Sequence, residues 1–182
     1  MPIYSFITDK DLDVGMKKYF RDQVTNGTTN LHILKTSEGG AFSMIKAKLN
    51  NKYDLVKLFP SIQDWSAAKA YLKDEYAYKN DKIYKALQPG TNQDPATQTA
   101  YWVESDPRDQ LLVIHCVNMT IYFFMESIAP NKITEDIANA FASAIEWLDD
   151  VKNGDENPDW PLVLEGSSFI HSGSNEKLDH YY

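Results

Sequence analysis

The sequence predicts a mainly α fold: an antiparallel helical bundle with an inserted small three-stranded antiparallel β-module and an extended carboxy-terminal tail. Three observations predict it. Apolar residues recur at three- and four-residue steps in the first fifty residues and again over 108–153, which is the period of an amphipathic helix. Between them, residues 71–104 change to an alternating, tyrosine-rich pattern broken by turn dipeptides, a strand signal. Beyond Asn157 the periodicity stops altogether. At 182 residues the chain divides most simply into an amino-terminal helical part (1–70), the module (71–105), a helical hairpin (106–156) and the tail (157–182).

The first helix starts in "ITDKDLDVGMKKYFRDQV". Thr8 is placed to cap it, and Asp11 stands three residues on, where a capping-box acid belongs. Leu12, Met16, Tyr19, Phe20 and Val24 then share one face, and Asn26-Gly27 ends the run. "NLHILKT" alternates and is expected as a strand or an irregular link, with a second helix from Ser37 to Leu49. "YDLVKLFP" reads as one capped turn, begun by Asp54 and stopped by Pro60.

In "EYAYKNDKIYKALQ" the dipeptide Asn80-Asp81 marks a hairpin, Pro89-Gly90 and 92–95 form a long turn, and "AYWVES" supplies the third strand. "RDQLLVIHCVNMTIYFFMES" is long and contains no breaker, so a helix is expected. Arg108, His115, Asn118, Tyr122 and Glu126 then fall on one narrow polar stripe, and the rest is apolar, as in a helix buried nearly all round. The apolar run 111–125, interrupted by His115 and Asn118, is short for a membrane span. The last helix carries Ile133, Ile137, Phe141, Ala144, Leu148 and Val151 at helical steps, acids in its first turn, and Lys152 with Gly154 at its close. The "IAPN" link is short enough to force an antiparallel pair.

A formal charge of −8 argues against affinity built on DNA phosphates, but suits a wall past which nucleic acid slides without sticking. One cysteine, Cys116, permits no internal disulfide. "MPIYSFITDKD" has no basic region followed by an apolar run, so no signal peptide is expected. Neighbouring helical residues point about 100° apart, so His115 cannot serve Cys116 as a base, and a structural thiol is expected. The four histidines show no metal-ligand spacing, and Lys152 interrupts the acidic run "DDVKNGDENPD" where a calcium loop needs oxygen. No catalytic constellation, metal site or cofactor is expected.

Binding or assembly remains. The aromatic residues Tyr76, Tyr78, Tyr84 and Trp102 suit either a miniature core with Ile83 or a platform for sugars, and packing is the simpler reading. The tail keeps Trp160, Phe169, Ile170, Tyr181 and Tyr182, too much apolar surface for a solvated end.

The order of segments resembles the head-to-tail connector, or neck adaptor, proteins of tailed bacteriophages. An Arg-led apolar helix, an Ala-Pro turn, a helix closing on "AIEWL", a short acidic-glycine loop and the Pro158-x-x-Pro161 exit carry the resemblance, with "FITDKDL" and "IKAKLNNKYDLVKLF" before them. Residues 71–102 are similar to a small β-module of some connectors and of chitin-type carbohydrate-binding modules, although Asn80-Asp81 stands where Asn-Gly is usual. The resemblance implies a structural virion subunit at the capsid–tail junction. Such subunits form a homo-oligomeric ring, typically twelvefold, under the portal protein, dock neck or tail proteins and pass DNA without specific recognition; no membrane is involved. It also implies a partner-binding tail, for which Phe169, Ile170, Asn175, Lys177, Tyr181 and Tyr182 are the candidates. The rival expectation is a carbohydrate-binding virion or surface protein that uses the aromatic module.

Overall fold

The computed structural model describes residues 6–16 and 31–163. Among these residues there are five α-helices and a small mixed sheet of four strands. Helix α1 (Asp9–Gly15) has the full capping box: the Thr8 hydroxyl accepts from the Asp11 amide, and the Asp11 carboxylate accepts from the Thr8 amide at 2.7 Å. Helix α2 (Leu31–Leu49) overturns the expected strand or link, because "LHILKT" is its first turn and a half. Leu34, Ala41, Ile45 and Leu49 lie buried along it at steps of seven, four and four residues, so one apolar stripe runs through the supposed boundary. Tertiary packing of that stripe outweighs a locally alternating hexapeptide. Asp54 caps α3 (Leu55–Leu58) by accepting from the Val56 and Lys57 amides.

The module differs from the expectation in size and pairing. Its sheet has four strands in the order β1 (Ile62–Asp64), β3 (Tyr76–Lys79), β4 (Lys82–Ala86), β6 (Trp102–Glu104), and β1 runs parallel to β3. The sheet therefore begins before Tyr71 and is mixed, not three-stranded and antiparallel. A second, two-stranded ladder joins β2 (Ala70–Tyr71) to β5 (Gly90–Thr91). The hairpin turn falls where the sequence puts it: Asn80 and Asp81 both take the left-handed conformation, at φ 51° and 59°, as a two-residue primed turn requires.

Helix α4 (Gln110–Ile128) packs on α1, α2 and α5 (Glu135–Asn153), and it buries nine residues from Leu112 to Met125. By length and composition it could cross a membrane, but half of its apolar window is buried inside the fold, as in a core helix. The polar stripe is corrected in two respects. Arg108 precedes the helix, whose cap is Asp109, and His115 and Tyr122 face α5, where they stack on Trp147 and Phe141. The exposed apolar positions of α4 are Leu111 and Ile114. A 3-10 turn (Pro130–Lys132) reverses the chain, and α5 runs from its Thr134 cap to Gly154, whose φ of 92° only glycine adopts cheaply.

Candidate functional site

The segment that leaves α5, residues 157–163, is bound across the helical body as a strap. Trp160, 8% exposed, meets Tyr53 and Trp147 edge to face, at centroid distances of 5.1 and 5.7 Å. Its indole N–H donates to Asp109 Oδ2 at 3.1 Å, while Asp109 Oδ1 accepts from the Leu112 amide at 2.8 Å. One carboxylate thus caps α4 and holds the strap. Lys52 donates to the Val151 carbonyl and to Asn157, and Lys48 pairs with Asp149, so the end of α2 grips the end of α5. Further along, Tyr53 and Leu162 form an antiparallel bridge, flanked by bonds from Asp54 N–H to Pro161 and from Val163 N–H to Lys52. Leu162 and Val163 remain 58% and 45% exposed, beside a groove of about 450 Å³ lined by Asn50, Tyr53, Asp54, Leu55, Val56 and Val163. The expected tail contacts, Phe169, Ile170, Asn175, Lys177, Tyr181 and Tyr182, lie outside the described residues.

The four module aromatics fall into two groups. Tyr84 and Trp102 are buried with Tyr71, Ala77 and Ala86 in the module's own core, flanked by Trp65 and Tyr101. Trp65 and Trp102 both donate their indole N–H to the carbonyl of Gln93, which fixes the long turn beneath them. Lys79 lies 3.9 Å from the Trp65 ring centroid and pairs with Asp94 at 2.7 Å. Tyr76 and Tyr78 project from the opposite face and are half-buried. The Tyr78 hydroxyl donates to Asp81 at 2.9 Å and also reaches Thr8, the cap of α1. Burial, with the Asp81 carboxylate beside it, pushes the Tyr78 pKa well up. The module therefore spends Tyr84 and Trp102 on its own packing, and Tyr78 on joining the body.

Within the body, Cys116 is fully buried and burial pushes its thiol pKa far up, so it is a packing residue and not a nucleophile. His115 stacks on Trp147 at 4.4 Å, and its Nδ1 is buried without a hydrogen bond. Two junctions had not been read from the sequence. Arg108 donates to the Phe6 carbonyl at 2.8 Å and to Asp11 at 2.6 Å, and it forks onto both oxygens of Asp106. Glu38, inside the fold, accepts from the Phe6 and Ile7 amides. The Asp before an apolar run was a legible cap signal at Asp109; nothing local marks Glu38, whose partners lie some thirty residues away in sequence. Among the described residues, no group of three or more His, Cys, Asp or Glu is placed to hold a metal ion. No protein-family model matches this chain, and no curated protein or solved structure is significantly similar to it.

Proposed function

We propose that this chain is a structural virion protein, a head-to-tail connector subunit that forms a ring under a portal, extends the DNA channel and docks neck or tail proteins. One observation carries the reading. The strap is pinned by Trp160 and Asp109, and the Tyr53–Leu162 bridge holds its last described residues at a fixed point on the helical body. A subunit that must hand a segment to a neighbour needs such an anchor, because an unanchored tail would lose far more entropy on docking. The helical hairpin of α4 and α5 and the module placed before it follow the segment order on which the resemblance rests. The acidic surface also suits a channel wall that does not retain DNA.

The deciding experiment is electron microscopy of the full chain mixed with a portal ring, beside a variant truncated from Gly166 onward. The full chain is expected to add a density layer beneath the portal. The truncated chain is expected to fold, as judged by circular dichroism, and to leave the portal bare. Equal incorporation of both proteins would remove the tail from the account; no layer with either would remove the connector.

A further inference from the structure

A row of side chains runs from the core helix to the strap. His115, half-buried on α4, stacks on Trp147 of α5 with ring centroids 4.4 Å apart and planes 23° from parallel. Trp147 meets Trp160 edge to face at 5.7 Å, and the Trp160 indole donates to Asp109 Oδ2. The strap hangs largely on this row. Its other ties are the contact of Trp160 with Tyr53 and two backbone bonds, from Asp54 N–H to Pro161 and from Val163 N–H to Lys52. Those bonds lie where Leu162 and Val163 are exposed, and a hydrogen bond open to water holds little by itself.

The row has one defect. His115 Nδ1 is buried and has no hydrogen-bond partner among the described residues. A neutral imidazole tolerates this with its proton on Nε2, because Nδ1 is then only an unused acceptor. Protonation turns Nδ1 into a charged donor with nothing to bond. A charged imidazole is also drawn to an indole face, but that attraction acts through the ring and supplies no acceptor for the new N–H. The outlet is rotation of the ring into water, which strips Trp147 of the support behind its contact with Trp160. The elements around the ring carry Asp109 at the head of α4, Glu146 and Asp150 on either side of Trp147 along α5, Asp159 on the strap and Lys52 after α2. Of these only Asp109 acts on His115, and it offsets part of the lowering that burial imposes on the ring's pKa. Lys52 is engaged by the Val151 carbonyl and Asn157.

We infer that His115 is an acid-sensitive latch, whose protonation frees the strap while the helical body stays folded. The sign follows from linkage. The ring takes a proton less readily under the strap than in water, so acid draws the equilibrium toward the released form, about tenfold for each unit by which the two pKa values differ. The window opens below 6.5, the ring's ordinary value. At neutral pH the point from which residues 164–182 leave the body is held; in mild acid it is loose. The inference stands apart from the connector reading, since it concerns only how the strap is held.

The test is amide hydrogen exchange on the full chain, expressed as protection factors so that the intrinsic pH dependence of exchange divides out. The Asp54 and Val163 amides report the strap, and the Leu148 amide, inside α5, reports the body. Between about pH 7.5 and about pH 5 the native chain is expected to lose protection several-fold at Asp54 and Val163 and to keep it at Leu148. His115→Phe keeps a ring on Trp147 and cannot titrate, so its strap should stay protected at both pH values. His115→Gln removes the ring, so its strap should be poorly protected at both. Native strap protection that survives acid, an equal acid loss in His115→Phe, or full protection in His115→Gln would each overturn the latch. Loss at Leu148 in step with the strap would overturn it too, because the body itself would then be unfolding.

Discussion

At Arg108 a single side chain joins three parts of the chain, because its guanidinium has enough donors for the Phe6 carbonyl, Asp11 and Asp106 together. Its side chain is only 3% exposed, so removing it strands two carboxylates near the core. We expect Arg108→Met to cost about 3 kcal/mol in urea denaturation, and Arg108→Lys to recover little, since an ammonium cannot fork. Burial by itself would raise the Asp106 pKa, but the hydrogen bonds from Arg108 more than offset it and leave it lowered. A carboxylate with a lowered folded pKa adds stability above its unfolded value, and that stability is lost as pH falls through the folded value; Arg108→Met should therefore flatten the acid limb of a stability–pH curve. His115 offers a second test with a different window. Burial lowers its pKa below 6.5, and the nearby Asp109 only partly offsets this. The unfolded chain then binds a proton that the folded chain does not, so stability falls as pH drops from above 6.5 through the folded value. His115→Phe keeps a ring on Trp147 and removes the unbonded nitrogen. It should match or exceed the native stability at pH 8 by about 1 kcal/mol and lose the slope below 6.5. An unchanged slope in thermal melts would clear His115 of that role.

The helices were legible wherever one sequence feature agreed with one packing role. Thr8 with Asp11, Asp54, and the spaced apolar residues of α5 each state a local rule that the fold keeps. Asn80-Asp81 did the same for the hairpin, because aspartate and asparagine tolerate positive φ without glycine. The misreadings share a cause, which is that the deciding partner is distant in sequence. The start of α2 is settled by Leu34 packing into the body core, and β1 by a parallel pairing with β3 that no local pattern encodes. The polar stripe of α4 had the right periodicity but the wrong surroundings, since stacking on Trp147 and Phe141 leaves His115 and Tyr122 half-buried against α5. Of the proposed site, the tail's apolar content was readable but its anchor was not; Trp160 and Asp109 meet across fifty-one residues. Gly15 is another such case. In sequence it is a poor helix residue, yet a Cβ there would come within 2.7 Å of Ile121 Cδ1 and Val117 Cγ1 on α4. We expect Gly15→Ala to destabilise by about 1–3 kcal/mol, through overpacking where α1 crosses α4, despite its better helix propensity. A gain in melting temperature would show that the two helices are free to part.

For the molecule as a whole, the packing of three helices and the path of the strap pass through the same residue. Trp160 touches Tyr53 after α2, Trp147 on α5 and Asp109 at the head of α4, so it closes three helices and fixes where the strap leaves them. Trp160→Ala removes a buried aromatic ring and its hydrogen bond, and should cost about 3–5 kcal/mol. That loss alone would not separate a structural wedge from a device for presenting the tail. Trp160→Phe does separate them, because it retains most of the ring packing but cannot donate to Asp109. The Asp109 cap on Leu112 remains in that variant, so α4 keeps its start. If the strap serves assembly, Trp160→Phe should lose only about 1 kcal/mol of folding stability yet incorporate into portal-bound rings several-fold less well, since the exit point is no longer fixed. Sedimentation of the variant with a portal, set against its urea midpoint, reads the two effects independently. Incorporation that falls only in step with stability would make Trp160 a core residue and nothing more.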